Sequence, residues 1–171
     1  METWDAIRAR RNVRAYTADP IEPAQLDRIL EAARRTPSSR NWQPWDFVVV
    51  TEREHLEQLA TVWQGAGHVA TSAATIALVT AVHEGERDRA IAQYDLGQAT
   101  MSIMIAAADL GIGSGHSAVG DQDLARRLLG LPDDRMCAYL IALGHPAERP
   151  LAPLTRINRR PFEEVVHRER W

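Results

Sequence analysis

From about Ala90 to Leu110 the chain reads as one long helix whose apolar residues, including Met101, Ile103, Met104, Ile105 and Ala106 to Ala108, cover nearly the whole circumference. A helix of this kind has to be covered on all sides. The 171 residues amount to one domain, 1–171, with a core large enough to fold alone. In a domain of this size a partner subunit is the expected source of part of the cover.

The other elements follow from periodicity and turn chemistry. Residues 3–11 predict a short helix, and Pro23 to Arg35 an amphipathic one with proline at its start and Leu26, Ile29, Leu30 and Ala33 on one face. Phe47 to Val50 predicts a strand too apolar to be half exposed. Thr51 with Glu54 predicts a capping box that opens a helix through Trp63, with Leu56, Leu59, Ala60 and Trp63 inward. Ala74 to Ala81 and Met136 to Leu143 are further strands, and Glu84 to Arg89 is a solvated charged turn. Gly111 to Gly115 is a short extended piece, after which Asp121 caps a helix stopped by Gly130 and Pro132. Beyond Pro146 the chain becomes a basic, proline-rich arm, 147–171, with little apolar content, and is expected to dock on another surface.

Composition excludes several functions. The net charge of −3 argues against a general polyanion binder, so small-molecule partners are expected and nucleic acid is not. All twenty basic residues are arginine, which removes lysine Schiff-base chemistry and the P-loop lysine. Cys137, the single cysteine, sits in an apolar run and is expected to pack rather than react. The six histidines show no metal-ligand spacing, and no metal site is expected. Residues 1–20 lack the pattern of a secretory signal, and Ala99 to Gly113 is too short to span a bilayer, so the expected compartment is the cytoplasm, with no membrane partner.

Two polar segments carry the chemistry. Arg8-Ala-Arg-Arg-Asn-Val-Arg-Ala-Tyr16 gathers Arg10, Arg11 and Arg14 around Asn12. It reads as a solvated helix face, a nucleic-acid arm or a phosphate clamp, since arginine forks with amide donors suit a phosphomonoester. Thr36 to Phe47 turns through Pro37 and Ser38, then offers Ser39, Asn41 and Gln43 beside Trp42 and Trp45. Such side chains can tie down their own turn, or read a polar heteroaromatic ring with a large apolar face. Together the segments point to a bound flavin. Gly113-Ser-Gly-His-Ser-Ala118 fits a dinucleotide fingerprint, but a helix precedes it where a strand is required.

These residues resemble the FMN-dependent nitroreductase family along nearly the whole chain. Arg10-Arg-Asn-Val-Arg-Ala-Tyr16 is similar to its R-R-S-x-R-x-F opening, and Pro37 to Val48 to its P-S-x-x-N-x-Q-P-W-x-F-V loop. Asp95-Leu-Gly-Gln-Ala99 with Leu110-Gly-Ile-Gly113 resembles its central helix, and Arg159 to Val166 its closing R-x-P-L-E-E-V-V. The resemblance implies an α+β homodimer with a mainly antiparallel sheet flanked by helices, each C-terminal arm exchanged with the partner subunit. It implies tightly bound FMN with NAD(P)H as reductant. By position, Arg10, Arg11 and Arg159 would hold the phosphate, and Asn12 and Arg14 the phosphate end and the pyrimidine edge. Pro37, Ser38, Ser39, Asn41 and Gln43 would face the ring from the other subunit, and the Ser117-Ala118-Val119 backbone would form the loop addressing its N5.

Three residues depart from the family pattern: Asn12 for serine, Asp46 where histidine is frequent, and Ile157 where a basic residue is common, with Arg156 as a substitute. The activity implied is hydride transfer from NAD(P)H through the flavin to a nitroaromatic, quinone or similar acceptor. The alternatives are a flavin-dependent dehydrogenase or dehalogenase on the same fold, or a flavin-binding protein without turnover.

Overall fold

The computed structural model describes residues 1–155 and 158–171. Four strands form one antiparallel sheet in the order β1-β2-β4-β3: β1 Asp46–Val50, β2 Ala74–Ala81, β3 Gly113–Ala118 and β4 Arg135–Gly144. Among the described residues five α-helices surround it: α1 Thr3–Ala9, α2 Pro23–Arg34, α3 Arg53–Leu59, α4 Glu86–Asp109 and α5 Gln122–Leu129. The alternation of strand side chains divides the core into two layers. Ile76, Leu78, Ile141 and Leu143 face Ile29 and Ala33 of α2 and Leu96, Ile103 and Ala107 of α4. Ala77, Cys137, Leu140 and Ala142 face Leu56 and Leu59 of α3 and Ala125 of α5. Burial there pushes the Cys137 thiol up to about 12, so it stays protonated as packing material.

Several expectations hold. Asp121 Oδ1 accepts the Leu124 N–H at 2.8 Å, and Gly130 ends α5 in the left-handed region at φ 63°. Helix α4 covers the expected span and begins earlier, because Glu86 to Arg89 form its first turn instead of a charged loop. Its own chain buries Ala92, Leu96, Ala99, Ile103, Met104 and Ala107 but leaves one stripe open, with Tyr94 72% and Met101 39% exposed. Trp4 (67%) and Ile7 (38%) of the adjoining α1 stand open as well.

Other expectations are corrected by long-range contacts. Strand β1 is the sheet edge, so Phe47, Val48 and Val49 are only partly covered despite their apolar run. The residue at the start of α3 is Glu52 and no side chain caps it, so the Thr51–Glu54 box does not form. Trp63 lies past the end of that helix and is 40% exposed, packing over Gly65 and Gly120 instead of the core. The piece after α4 continues to Ala118 as strand β3, because β4 offers partners as far as Tyr139.

Helix α1 ends at Ala9, short of the expected Arg11, because the following segment crosses to the sheet. Val13 donates to the Ser114 carbonyl at 2.9 Å and Thr17 to that of His145 at 2.9 Å. Tyr16 anchors this crossing, its hydroxyl donating to Val13 O at 2.7 Å while its ring lies on Gly144, where a Cβ would be 2.7 Å from Cδ1. Gly144→Ala should therefore destabilise the protein by about 1–3 kcal/mol, the cost of overpacking a filled site. Urea denaturation should show the midpoint falling with the slope unchanged.

Candidate flavin site

The crossing segment leaves α1 at Arg10 in extended backbone and reaches the sheet at Asn12, which is bridged to Ser114 of β3. The C-terminal arm closes over it. Ala147 donates to Ala15 O at 3.0 Å, Leu154 to Arg8 O at 3.2 Å, and Arg11 Nη2 to Arg149 O at 2.7 Å. These contacts carry Arg159 to the wall of a cleft of about 620 Å³ that also presents Trp4, Arg10, Arg11, Asn12 and Met101. Arg14 lines a smaller neighbouring cleft of about 280 Å³ with Arg11, Asn12, Pro146 and Glu148.

Among the described residues, Arg10, Arg11, Arg14 and Arg159 form no ion pair with any carboxylate. Burial, and after it the nearby Arg149, push Arg11 below its ordinary value, while the nearby Glu148 carboxylate opposes them. A partly desolvated cation with no carboxylate in ion-pair contact gains more from an incoming anion than a solvated one does.

The second polar segment is strained. Arg40, Asn41 and Gln43 sit at φ 55°, 58° and 53°, left-handed conformations that cost non-glycine residues on the order of 1–3 kcal/mol each. A buried carboxylate in α4 holds the turn: Asp95 Oδ2 accepts the Ser39 N–H at 3.0 Å, and Oδ1 accepts from Gln98 Nε2 at 3.1 Å. Ser38 Oγ accepts the Gln43 N–H at 2.8 Å, and Gln43 Nε2 donates to Asn41 O at 3.1 Å. Ser38 and Gln43 thus partly serve the turn itself. The Ser39 hydroxyl and the Asn41 side-chain amide have no such partner among the described residues, and both residues are exposed.

The two segments line separate cavities within one chain. Asp95, which ties down the loop, and Met101, in the arginine cleft, lie six residues apart on α4, about 9 Å along the axis and roughly 120° around it. The third predicted element differs from expectation. Ser117 and Ala118 are not a loop but the end of β3, paired with Leu140 and Tyr139, with Val119 just beyond.

The sequence profile of the nitroreductase family matches residues 7–66 and 60–145. The chain belongs to the nitroreductase family. An NADH dehydrogenase of Thermus thermophilus is 30% identical, the alignment covering 97% of this chain and 95% of that one. The FMN reductase [NAD(P)H] of Bacillus subtilis is 24% identical across 99% of this chain and 74% of its own. The fold is shared with an FMN-dependent nitroreductase of Clostridium difficile, with a TM-score of 0.84 at 22% identity over 97% of this chain and 98% of the other. The nitroreductase fold expected from the motifs is therefore present. Among the described residues no helix is long and apolar enough to cross a membrane. Of the departures from the family pattern, Arg156 and Ile157 lie outside the described residues, while Asp46 is exposed at the sheet edge, 3.7 Å from Arg135.

Two site residues were not singled out from the sequence. Asp95 lay inside a motif that marked a helix, with nothing local to show that its carboxylate would be 1% exposed and bonded to a loop fifty-six residues earlier. His68 is 8% exposed beneath the crossing segment, its Nε2 3.2 Å from Gly115 O.

Asp95→Asn should loosen the turn, because the carboxamide cannot accept from both Ser39 and Gln98 with the same two atoms. A loss of about 1.5–3 kcal/mol is expected, the range for hydrogen bonds to a charged group. Chemical denaturation checks the stability, and faster amide exchange at Ser39 checks the location.

Burial is the main cause that holds His68 below its ordinary value of 6.5. Arg14 and His116 push in the same direction, and the backbones of Gly115 and Gly65 oppose them. The unfolded chain then binds the proton more readily, so the contribution of His68 is complete above pH about 6.5 and is lost as pH falls below it. A His68→Gln variant should show a flatter stability profile than the parent through that window in denaturation at stepped pH.

Proposed function

We propose that the protein is an NAD(P)H-dependent FMN oxidoreductase acting on a nitroaromatic, quinone or similar electrophile, and that it works as a homodimer. The observation that carries this reading is the convergence of Arg10, Arg11, Asn12 and Arg159 on one cleft with no ion pair to a carboxylate among the described residues. That donor set fits one terminal phosphate and provides no second clamp, which favours FMN over FAD.

When bound, FMN supplies the redox chemistry, accepting hydride from NAD(P)H and passing electrons to the acceptor. The protein binds, orients and excludes water. Arg10, Arg11 and Arg159 hold the phosphate, and Asn12 directs it. Arg14, in the neighbouring cleft, would supply positive charge to the ring. The strained loop 37–43 presents Ser39 and Asn41 toward the ring edge, with Pro37, Ser38 and Gln43 shaping the turn. Ser117, Ala118 and Val119 would supply backbone groups to the ring. The loop comes from a second copy, in keeping with its separation from the arginine cleft within one chain.

The open stripe of Trp4, Ile7, Tyr94 and Met101 supports the dimer, and so does the arm, whose Phe162 (67%), Val165 (50%) and Trp171 (99%) are exposed. The unpaired edge of β1 offers backbone for such an arm to join.

Purified protein should be yellow, release FMN on heating and bleach when given NADH or NADPH. A flavin that binds but is never reduced by either donor would replace this reading with a storage role. Arg10→Ala should weaken FMN by about 1.5–3 kcal/mol and leave riboflavin, which has no phosphate, unchanged. Deleting residues 147–171 should remove both dimer and flavin, measured on one sample by sedimentation and absorbance.

A further inference from the structure

Beside the strained loop lies an open cleft of about 600 Å³ walled by Ser39, Arg40, Trp42, Arg87, Asp88 and Ile91. Its volume falls in the ordinary range for a small-ligand site. Arg40 projects from the left-handed turn at φ 55°, so its placement depends on the Asp95–Ser39 bond. Arg87 belongs to the first turn of α4. Neither guanidinium forms a hydrogen bond or ion pair among the described residues. Asp88 lines the same cleft, but its Oδ2 turns back toward Gly85 at the start of α4, 3.8 Å from where a Cβ would stand. Its charge is there matched by the positive end of the helix.

Trp42 is the aromatic wall. It is 42% exposed, and the His83 ring leans on it at 5.1 Å and 58°. An indole backed by a neighbouring ring offers a fixed apolar platform, and two unpaired guanidiniums beside it offer charged forks. Ile91 adds an apolar floor.

We infer that this cleft binds an aromatic ring carrying an anionic oxygen group, the ring against Trp42 and the anion on Arg40 and Arg87. The inference rests on the proposed oxidoreductase activity for its biological meaning, and makes these residues determinants of specificity. Two ligands share the chemistry: the 2′-phosphoadenosine end of NADPH and an acceptor such as a nitroaromatic carboxylate.

Calorimetric titration of the purified dimer separates them without turnover, using adenosine 2′,5′-bisphosphate against adenosine, and 4-nitrobenzoate against 4-nitrobenzyl alcohol. At least one anionic probe should bind more tightly than its neutral twin. Arg40→Ala and Arg87→Ala should each weaken that probe by about 10- to 100-fold, the loss of a charged hydrogen bond, and leave the neutral one unmoved. Trp42→Leu should weaken both members of the pair. Steady-state kinetics should place the same change in KM for NADPH but not NADH, or for 4-nitrobenzoate but not the alcohol, with kcat retained.

Equal binding of each anionic probe and its neutral twin, or equal losses in the arginine variants at an unchanged thermal midpoint, would overturn the inference. A protein that binds the anionic probe selectively but holds no flavin would overturn the proposed function and leave this cleft standing.

Discussion

Helix α4 has to be buried, and among the described residues its own chain covers it with the sheet, α2, α1 and the loop that Asp95 holds. The leftover stripe is thereby confined to Tyr94 and Met101, next to Trp4 and Ile7 of α1. Both polar segments adjoin this helix. One is tied to it at Asp95, and the other ends in a cleft that Met101 lines. The position of the candidate site is thus a consequence of packing an apolar cylinder, with the polar groups attached at two different angles around it.

The loop from Pro37 to Gln43 shows how local strain is held by distant structure. Three left-handed residues in a stretch of four would not persist in an isolated peptide. Here the buried Asp95 carboxylate fixes Ser39, Ser38 fixes Gln43, and buried Pro44 leads into β1. With the turn so held, Ser39 and Asn41 are displayed and Arg40 is directed into a separate cleft. One strained turn therefore serves two surfaces.

Charge follows a similar logic. Some exposed arginines find carboxylates, as Arg34 and Arg35 do with Glu31 and Arg28 with Asp109. Among the described residues those of the crossing segment form no ion pair, and the arm brings a further cation, Arg159, to them. A cluster of like charges left without counter-ions weakens a fold slightly, and binding an anion there removes the cost.

The sequence alone determined what neighbours along the chain decide. The faces of α2 and α5, the Asp121 cap, the left-handed stop at Gly130 and the buried strands β2 and β4 all depend on spacings of a few residues, and the ordered motifs pointed to the nitroreductase family. Contacts between remote segments decided the rest. That Phe47 to Val49 lie on an edge depends on β2 having β4 on its other side, which no period-two pattern encodes. Trp63 turns outward because Gly120 offers it a surface, and β3 runs to Ala118 because β4 pairs with it. The burial of Asp95 and His68, and the meeting of Arg10 with Arg159, each join residues separated by tens of positions. Such pairings carry no local signature, because they are selected by the burial and hydrogen bonding of the whole fold and not by the preference of any one segment.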